Sequence, residues 1–146
     1  MIRAVLDANA IAFGMARFRT GNSPPAVILR AWVNGDFELL VSDHILREVL
    51  NTLAKPYFVE HVDLEVSRET LEALADFATH VRITHSVSGV ASHPEDDRVL
   101  EAARSADADY LVTGDGPFQK VESYGGVAII SPRTFREILD QHSVSR

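Results

Sequence analysis

Short apolar segments alternate with longer segments of helical periodicity along the whole chain. The apolar segments are rich in Val, Ile and Leu and are followed by turn-forming residues, which is typical of buried strands. Strands that alternate with helices form parallel sheets with helices packed on both faces. The pattern therefore predicts an α/β protein, a three-layer α/β/α sandwich with a roughly five-stranded parallel sheet. The predicted strands are residues 2–6, 37–41, 81–83, 110–113 and 127–130.

Capping residues and prolines locate the helices between these strands. Ser23 precedes Pro24 and Pro25, and Pro94 opens an acidic segment, as expected of first helical turns, where the missing N–H of proline is harmless. Gly35 indicates the end of one helix. The predicted helices are residues 8–18, 24–34, 45–53, 60–80 as one or two helices, 94–106 and a last helix that starts at 131–132.

Length and composition limit the classes of function. The chain has 146 residues, of which 46% are hydrophobic, and this predicts a single domain over residues 1–146. The sequence contains no cysteine, which excludes disulfides, thiolate metal sites and a cysteine nucleophile. The apolar start at residues 2–6 is too short to span a membrane, so we expect a cytoplasmic protein without a membrane segment.

The net charge of −7 argues against a protein that coats nucleic acid through a broad positive field. A metal-dependent nuclease is less affected by this argument. Its acidic residues would surround divalent cations, and the bound cations would offset the charge of the site. The charge therefore disfavours a basic binding module more than it disfavours a metallonuclease.

Four acidic residues are predicted to meet at one edge of the sheet. Asp7 follows the first strand and Asp115 follows the fourth, so both lie at the carboxyl ends of strands, where α/β proteins bind their ligands. Glu48 lies early in the helix after the second strand, and Asp97 lies in the first turn of the helix that Pro94 opens. Taken alone, each could be a turn former, a helix cap or a solvated surface acid. Their common placement is what favours a site.

Carboxylates held close together repel one another unless a cation compensates them. Oxygen ligands without cysteine or clustered histidine select Mg²⁺ or Mn²⁺. Such cations stabilise the negative charge that develops when a phosphodiester bond is hydrolysed. The constellation therefore predicts a magnesium or manganese site that acts on phosphodiesters.

At these residues the sequence resembles the PIN-domain family, and in particular its ribonuclease toxins of toxin–antitoxin systems. Nearly the whole chain takes part in the resemblance. The individual motifs are short, and their order and spacing make the combination specific. They are VLDAN at residues 5–9, LVS at 40–42, REVL at 47–50, PEDDRVLEAA at 94–103 and ADYLVTGD at 108–115.

The resemblance implies that Asp7, Glu48, Asp97 and Asp115 form a catalytic quartet that binds Mg²⁺ or Mn²⁺. Asp97 is preferred to the neighbouring Asp96 because the apolar residues that follow it match the family's spacing, and Asp96 is kept as an additional acid. Asn9, Ser42 and Thr113 match the supporting polar positions of the family. The resemblance further implies an endoribonuclease, a homodimer or higher oligomer, and inhibition by a cognate antitoxin.

An RNA substrate needs local positive charge, and Arg17, Arg19, Arg98 and Lys120 are the candidate contacts, although each could equally be a solvated surface base. Two other classes of function stay open. A receiver-like phosphoryl-transfer domain also gathers acids around Mg²⁺, but it needs a lysine near its phosphorylated aspartate, and the chain has only Lys55 and Lys120. The other class is a catalytically silent PIN-fold interaction module.

Overall fold

Six strands form one central sheet in the computed structural model, which describes residues 1–144. The strand order is β3-β2-β1-β4-β6-β5, and every neighbouring pair is parallel except β5 with β6. The central strand β1 pairs with β2 and β4, so that Val5 lies between Leu40 and Leu111. The strands are β1 (Arg3–Leu6), β2 (Glu38–Val41), β3 (Thr79–His80), β4 (Tyr110–Val112), β5 (Ser123–Tyr124) and β6 (Val127–Ile130).

The helices fill the connections between these strands. Asp7, Ser42, Asp63 and Asp115 precede helices and accept hydrogen bonds from N–H groups of the first turn, which is the usual role of Asp and Ser at that position. The helices within residues 1–144 are α1 (Ala8–Ala16), α2 (Pro24–Val33), α3 (Asp43–Leu53), α4 (Pro56–His61), α5 (Leu64–Phe77), α6 (Pro94–Ser105), α7 (Gly116–Gln119) and α8 (Pro132–Val144).

The predicted α/β/α sandwich is confirmed, and the prediction of a roughly five-stranded parallel sheet misses one strand. The additional strand is β5, which forms a hairpin with β6 through Gly125 and Gly126, both at positive φ. The third strand lies at Thr79–His80 and not at residues 81–83, since its partner is the end of β2. Both residues of β3 are exposed, so no apolar run marked the position.

The order of strands in the sheet changes direction once along the parallel part of the chain. The connection from β1 to β2 leads towards one edge of the sheet, and the connection from β3 to β4 leads back across β2 and β1 to the other side of β1. Since such crossovers are right-handed, α1 and α2 lie on one face and α6 lies on the other. The contacts agree, because α6 packs on β1, β2 and β4, whereas α8 packs on α2. The direction reverses between β1 and β4, and ligands of parallel sheets bind at such a point.

One continuous hydrophobic core links the two helical layers through β1, β2 and β4. The apolar strand residues Ala4, Val5, Leu40 and Leu111 are completely buried, which explains why these strands were visible in the sequence as apolar runs. The predicted single domain covers residues 1–146, of which 145 and 146 lie outside the described residues. Among the helices that the structure describes, none has the length and apolar character needed to span a bilayer.

Candidate functional site

Asp7 lies where β1 ends and α1 begins. Its N–H donates to the carbonyl of Val112 at 3.0 Å, which continues the pairing of β1 with β4. One carboxylate oxygen, Oδ1, accepts from the N–H of Ala10 at 2.8 Å and caps α1. The other, Oδ2, accepts from the hydroxyl of Thr113 at 2.6 Å. The position of Asp7 is therefore fixed from both sides, by its own helix and by the neighbouring strand.

Thr113 connects the two acids that follow the central strands. Its side chain is completely buried, and its hydroxyl accepts from the N–H of Asp115 at 3.1 Å while it donates to Asp7. Asp115 also caps α7, because its Oδ2 accepts from the N–H of Phe118 at 3.0 Å. The structure thus brings together Asp7 and Asp115 at the carboxyl edge of the sheet, with the predicted supporting residue Thr113 between them.

Asp96, in the first turn of α6, is the third carboxylate of this group. Burial raises its pKa, and the negative charges of Asp115 and Asp7 raise it further. Burial likewise raises the pKa of Asp7, which the hydrogen bond from Thr113 opposes and the charge of Asp115 reinforces. We call Asp7, Asp96 and Asp115 the aspartate cluster. Its members repel one another in a partly desolvated place, which is the electrostatic state that a bound cation relieves.

The carboxylate of Asp97 points to a different part of the molecule. Only 4% of Asp97 is exposed, and one carboxylate oxygen accepts from the N–H of Gly89 at 3.0 Å. The other accepts from the N–H groups of Val90 and Ala91 at 3.3 and 2.8 Å. These bonds fasten the loop that precedes α6. The sequence interpretation preferred Asp97 for the acidic quartet, but the structure brings Asp96 to the aspartate cluster, because successive residues of a helix face directions about 100° apart.

Glu48 reaches the same edge of the sheet from α3. It is half-buried, and its Oε1 accepts from the side-chain amide of Asn51 at 3.4 Å. Together with Asp7 and Asp96 it lines a cavity of about 120 Å³ between α1, α3 and α6. The structure therefore places Glu48 beside the aspartate cluster, as the sequence predicted. The other polar residues of this cavity are Asn9, His44, Thr52, Lys55 and Glu95.

A second cavity, of about 270 Å³, lies on the other side of Asp7. Asp7 and Asn9 line both cavities, so the two lie next to each other, and we call them together the acidic groove. Asp115, Phe13 and Pro132 border the second cavity. Asn9 is exposed within the groove, at the predicted supporting position. The aspartate cluster is therefore accessible from both cavities.

Ser42 supports the site indirectly. It is buried and caps α3, since its hydroxyl oxygen accepts from the N–H of Ile45 at 3.3 Å. This bond fixes the first turn of α3, and the next turn carries Glu48. Ser42 thus contributes to the site by positioning the helix that carries Glu48.

The four predicted RNA contacts lie outside the two cavities. Arg17 and Lys120 are exposed at the ends of α1 and α7. Arg19 is exposed and pairs with two acids near the start of α5, at 3.7 and 3.6 Å. Arg98 donates to the carbonyl of Val87 in the loop before α6. Within residues 1–144, the lysine or arginine that lines the groove is Lys55.

Sequence reasoning did not single out three residues of the groove, namely Lys55, His44 and Glu95. Lys55 follows α3 directly, and Pro56 starts the next helix. His44 lies one helical turn before Glu48, a spacing that places two side chains on one face of a helix and that could have been found. One histidine paired with one glutamate is a weaker signal in a sequence than the clustered histidines that this chain lacks. Glu95 was hidden in the acidic run that follows Pro94.

The donor set of the aspartate cluster suits a hard divalent cation. Carboxylate oxygens are the preferred protein ligands of Mg²⁺ and Mn²⁺. Asp7, Asp96 and Asp115 provide them, and Glu48 lies beside them. Burial, and next to it the repulsion among these acids, raises the pKa of Asp7 and of Asp96, and a bound cation would offset both effects. The residues present therefore fit a metal of this type.

The fold and the site together define a class of protein. It is an α/β/α domain whose acidic residues converge between β1 and β4, where the order of strands along the parallel sheet changes direction. The chain belongs to the PIN domain family, whose model matches residues 3–116. This segment contains all the acids discussed above, from Asp7 to Asp115. A search of curated proteins finds no significant match.

Solved structures with the same fold support this placement. PAE2754 from Pyrobaculum aerophilum is 18% identical with a TM-score of 0.63, and the match covers 96% of this chain and 90% of that one. VapC20 from Mycobacterium tuberculosis, a sarcin-ricin loop cleaving toxin, is 14% identical with a TM-score of 0.55, and the match covers 84% of this chain and 97% of that one. At these identities the likeness shows the fold alone.

Proposed function

We propose that this PIN domain is an endoribonuclease that depends on Mg²⁺ or Mn²⁺. The observation that supports the proposal best is the aspartate cluster, in which three carboxylates from separate parts of the chain share one edge of the sheet. Membership of the PIN domain family, whose members are typically nucleases, supports it further. A structural role alone gives no reason to gather carboxylates whose repulsion raises their pKa values.

In this proposal Asp7, Asp96, Asp115 and Glu48 hold the metal, and Asp96 takes the place that the sequence interpretation gave to Asp97. When bound, a divalent cation supplies Lewis-acid stabilisation of the charge on the scissile phosphate. Thr113 is a positioning residue. Its hydroxyl fixes the Oδ2 of Asp7 and the backbone of Asp115, so that both carboxylates are oriented before substrate binds.

The acidic groove gives the substrate a path past the metal ligands. Two cavities of about 120 and 270 Å³ meet at Asp7, so a strand of RNA lying along the groove passes over the aspartate cluster. Lys55, in the first cavity, supplies positive charge for a backbone phosphate. Phe13 borders the second cavity, packs edge-on against Phe58 at 5.0 Å between ring centroids and is 44% exposed, so it offers an aromatic surface to an unpaired base. These features favour a single-stranded or looped substrate.

The experiment is cleavage of a fluorescently labelled RNA oligonucleotide by purified protein, with Mg²⁺, with Mn²⁺ and with a chelator. We expect metal-dependent products, and we expect Asp7→Asn and Asp115→Asn each to reduce the rate at least about 100-fold. Asp107→Asn is the matched control, because Asp107 is exposed and lies far from the groove in an ion pair with Arg104. Cleavage that persists in the chelator, or in Asp7→Asn at the wild-type rate, contradicts the proposal.

The cleavage assay, together with a labelling experiment, separates the alternative classes of function. Incubation with acetyl phosphate would label a receiver-like domain on an aspartate, and Lys120, the lysine considered for that role, lies at the end of α7 outside both cavities. An interaction module with no activity would show neither labelling nor cleavage. Either result removes the ribonuclease proposal.

We further propose that the protein is the toxin of a toxin–antitoxin pair, acting on cellular RNA and bound by a cognate antitoxin. The fold shared with a sarcin-ricin loop cleaving toxin supports this role. Induced expression of the wild-type chain in a bacterial host should arrest growth, whereas Asp7→Asn should not. Equal growth of the two strains, at equal protein levels, argues for an RNA-processing role instead. The predicted homodimer stays a prediction.

A further inference from the structure

His44, Glu48 and Glu95 form a second constellation beside the aspartate cluster. Their ligand atoms, one from each side chain, all lie within 4.8 Å of one another. His44 and Glu48 are one turn apart on α3, so their side chains share a face of that helix. Glu95 approaches from the first turn of α6. All three residues line the cavity of about 120 Å³, which leaves the constellation open to small ions.

The Nε2 atom of His44 is buried and has no hydrogen-bond partner in the described part of the chain. It lies 3.4 Å from Oε2 of Glu95, an ion-pair distance without the alignment of a hydrogen bond. A buried polar atom left without a partner is unfavourable, so such an atom calls for a ligand or a water. Here the lone pair of a neutral imidazole would face two carboxylates, which is the arrangement of ligands around a cation.

The separation of these atoms agrees with tetrahedral coordination. Two ligand atoms bound to one ion at about 2.1 Å, as nitrogen and oxygen bind Zn²⁺, lie about 3.4 Å apart in a tetrahedron. The distance from Nε2 of His44 to Oε2 of Glu95 is 3.4 Å. The carboxylate oxygen of Glu48 lies within 4.8 Å of both other atoms, so this side chain is the third group beside the same position.

The ligand types separate this constellation from the aspartate cluster. The aspartate cluster offers oxygen alone and suits Mg²⁺, whereas an imidazole nitrogen is a poor ligand for Mg²⁺ and a good one for Zn²⁺, Co²⁺ or Ni²⁺. We propose that His44, Glu48 and Glu95 form a second binding site, for a first-row transition-metal ion, which shares Glu48 with the proposed Mg²⁺ site and has its fourth coordination position open to the groove. This site goes beyond the proposed ribonuclease function, and metal binding there does not require RNA cleavage.

The test is a titration of the full-length, metal-free protein with Zn²⁺ by isothermal calorimetry. We expect one tight equivalent for the wild type and a loss of affinity of at least about tenfold in His44→Gln and in Glu95→Gln, since even residues that only support a ligand cost that much. His85→Gln is the matched control, because His85 is exposed in the loop before α6. An unchanged affinity in His44→Gln overturns the proposal, and so does the absence of a tight equivalent in the wild type.

A second measurement removes any dependence on the folding of the variants. In the wild-type protein, one equivalent of Zn²⁺ should move the side-chain ¹⁵N resonance of Nε2 in His44, while that of His85 stays in place. A resonance of His44 that does not move contradicts the site. This test is independent of the proposed ribonuclease activity. Asp115→Asn should abolish RNA cleavage in Mg²⁺ and still bind Zn²⁺ with wild-type affinity.

Discussion

Two faces of the first turns of α6 use the same residue types in opposite ways. The cleft face carries Glu95 and Asp96, which line the acidic groove. The loop face carries Asp97 and Glu101, which accept hydrogen bonds from backbone N–H groups of the loop at residues 81–93. On the loop face every carboxylate charge is matched by donors. On the cleft face, within residues 1–144, Glu95 lies 3.4 Å from Nε2 of His44 and no backbone N–H group binds its carboxylate or that of Asp96. The pKa of Asp96 is raised by burial and by its acidic neighbours.

The two faces show how a structural acid and a metal-binding acid can be distinguished without a bound metal. A carboxylate that stabilises the fold is surrounded by N–H donors, which favour its charged form. A carboxylate that binds a cation is surrounded by other carboxylates, and its charged form is disfavoured when no cation is bound. Asp96 is half-buried and Asp97 is buried, and their hydrogen-bond partners separate the two roles.

The largest effect that we predict concerns stability and separates the two faces directly. Asp97→Ala removes an acceptor from the N–H groups of Gly89, Val90 and Ala91. Each group left unsatisfied costs about 1–3 kcal/mol, so we expect a loss of about 3 kcal/mol in the free energy of unfolding. Asp96→Ala leaves no such donor behind and relieves repulsion, so its effect should lie within about 0.5 kcal/mol. Urea denaturation in a chelator measures both.

This pair of variants is its own control, because the two substitutions are identical and one residue apart. If Asp96→Ala proves the more damaging, the assignment of the faces is wrong. The RNA-cleavage rate gives an independent check, since Asp96→Ala should remove activity from a protein that is fully folded.

The sequence predicted the longer, buried strands β1, β2, β4 and β6 well, and it predicted the two-residue strands β3 and β5 poorly. Strands such as β1 and β4 are buried on both faces, and such strands consist of consecutive apolar residues that can be recognised in the sequence. The pair β3 and β5 have two residues each, and neither contains a buried side chain. Their positions are set by pairing partners elsewhere in the chain, although Gly125-Gly126 was a local signal for the hairpin.

The candidate site was predicted as far as topology determines it. Asp7 and Asp115 follow strands, and parallel strands bring their carboxyl ends to one edge whatever the details of packing. The choice between Asp96 and Asp97 depends on how α6 is rotated about its axis. That rotation is set by the packing of α6 on the sheet through Val99, Leu100 and Ala103, and no local pattern encodes the loop at residues 81–93 that binds Asp97. Glu95 and His44 depend on the same packing of α6 against α3.

The second prediction concerns pH and is smaller, because only the cleft face contributes. The pKa values of Asp7 and Asp96 are raised in the folded protein above the usual value of 3.8. Between 3.8 and the raised values, the folded state binds more protons than the unfolded state, so stability falls as the pH rises through this window. The metal-free protein should therefore be more stable in mild acid than at neutral pH.

Thermal unfolding in a chelator from mild acid to neutral pH tests this dependence. In Asp7→Asn the contribution of one group disappears while an acceptor for Ala10 is kept, so the slope should become shallower. Saturating Mg²⁺ should also reduce the slope in the wild type, since a bound cation lowers both pKa values. A slope that is the same in wild type and Asp7→Asn would show that other titrating groups cause it.

The smallest effects that we predict are those of replacing one basic residue beside the groove and one on the loop face of α6. Lys55 borders the acidic groove, whereas Arg98 donates to the carbonyl of Val87 and pairs with Glu101 at 3.1 Å. Lys55→Ala should raise the KM for RNA about fivefold and leave stability unchanged, because one exposed phosphate contact is lost. Arg98→Ala should leave KM unchanged and lower the free energy of unfolding by about 1 kcal/mol.

Steady-state cleavage at two salt concentrations distinguishes these roles. The salt dependence of KM should weaken in Lys55→Ala, since fewer counterions are released when one phosphate contact is missing. In Arg98→Ala it should equal that of the wild type, because the guanidinium is engaged with the loop at Val87 and does not face the groove. If Arg98→Ala instead raised KM and weakened its salt dependence, the loop face would be part of the RNA-binding surface. The division of α6 into a binding face and a structural face would then be wrong.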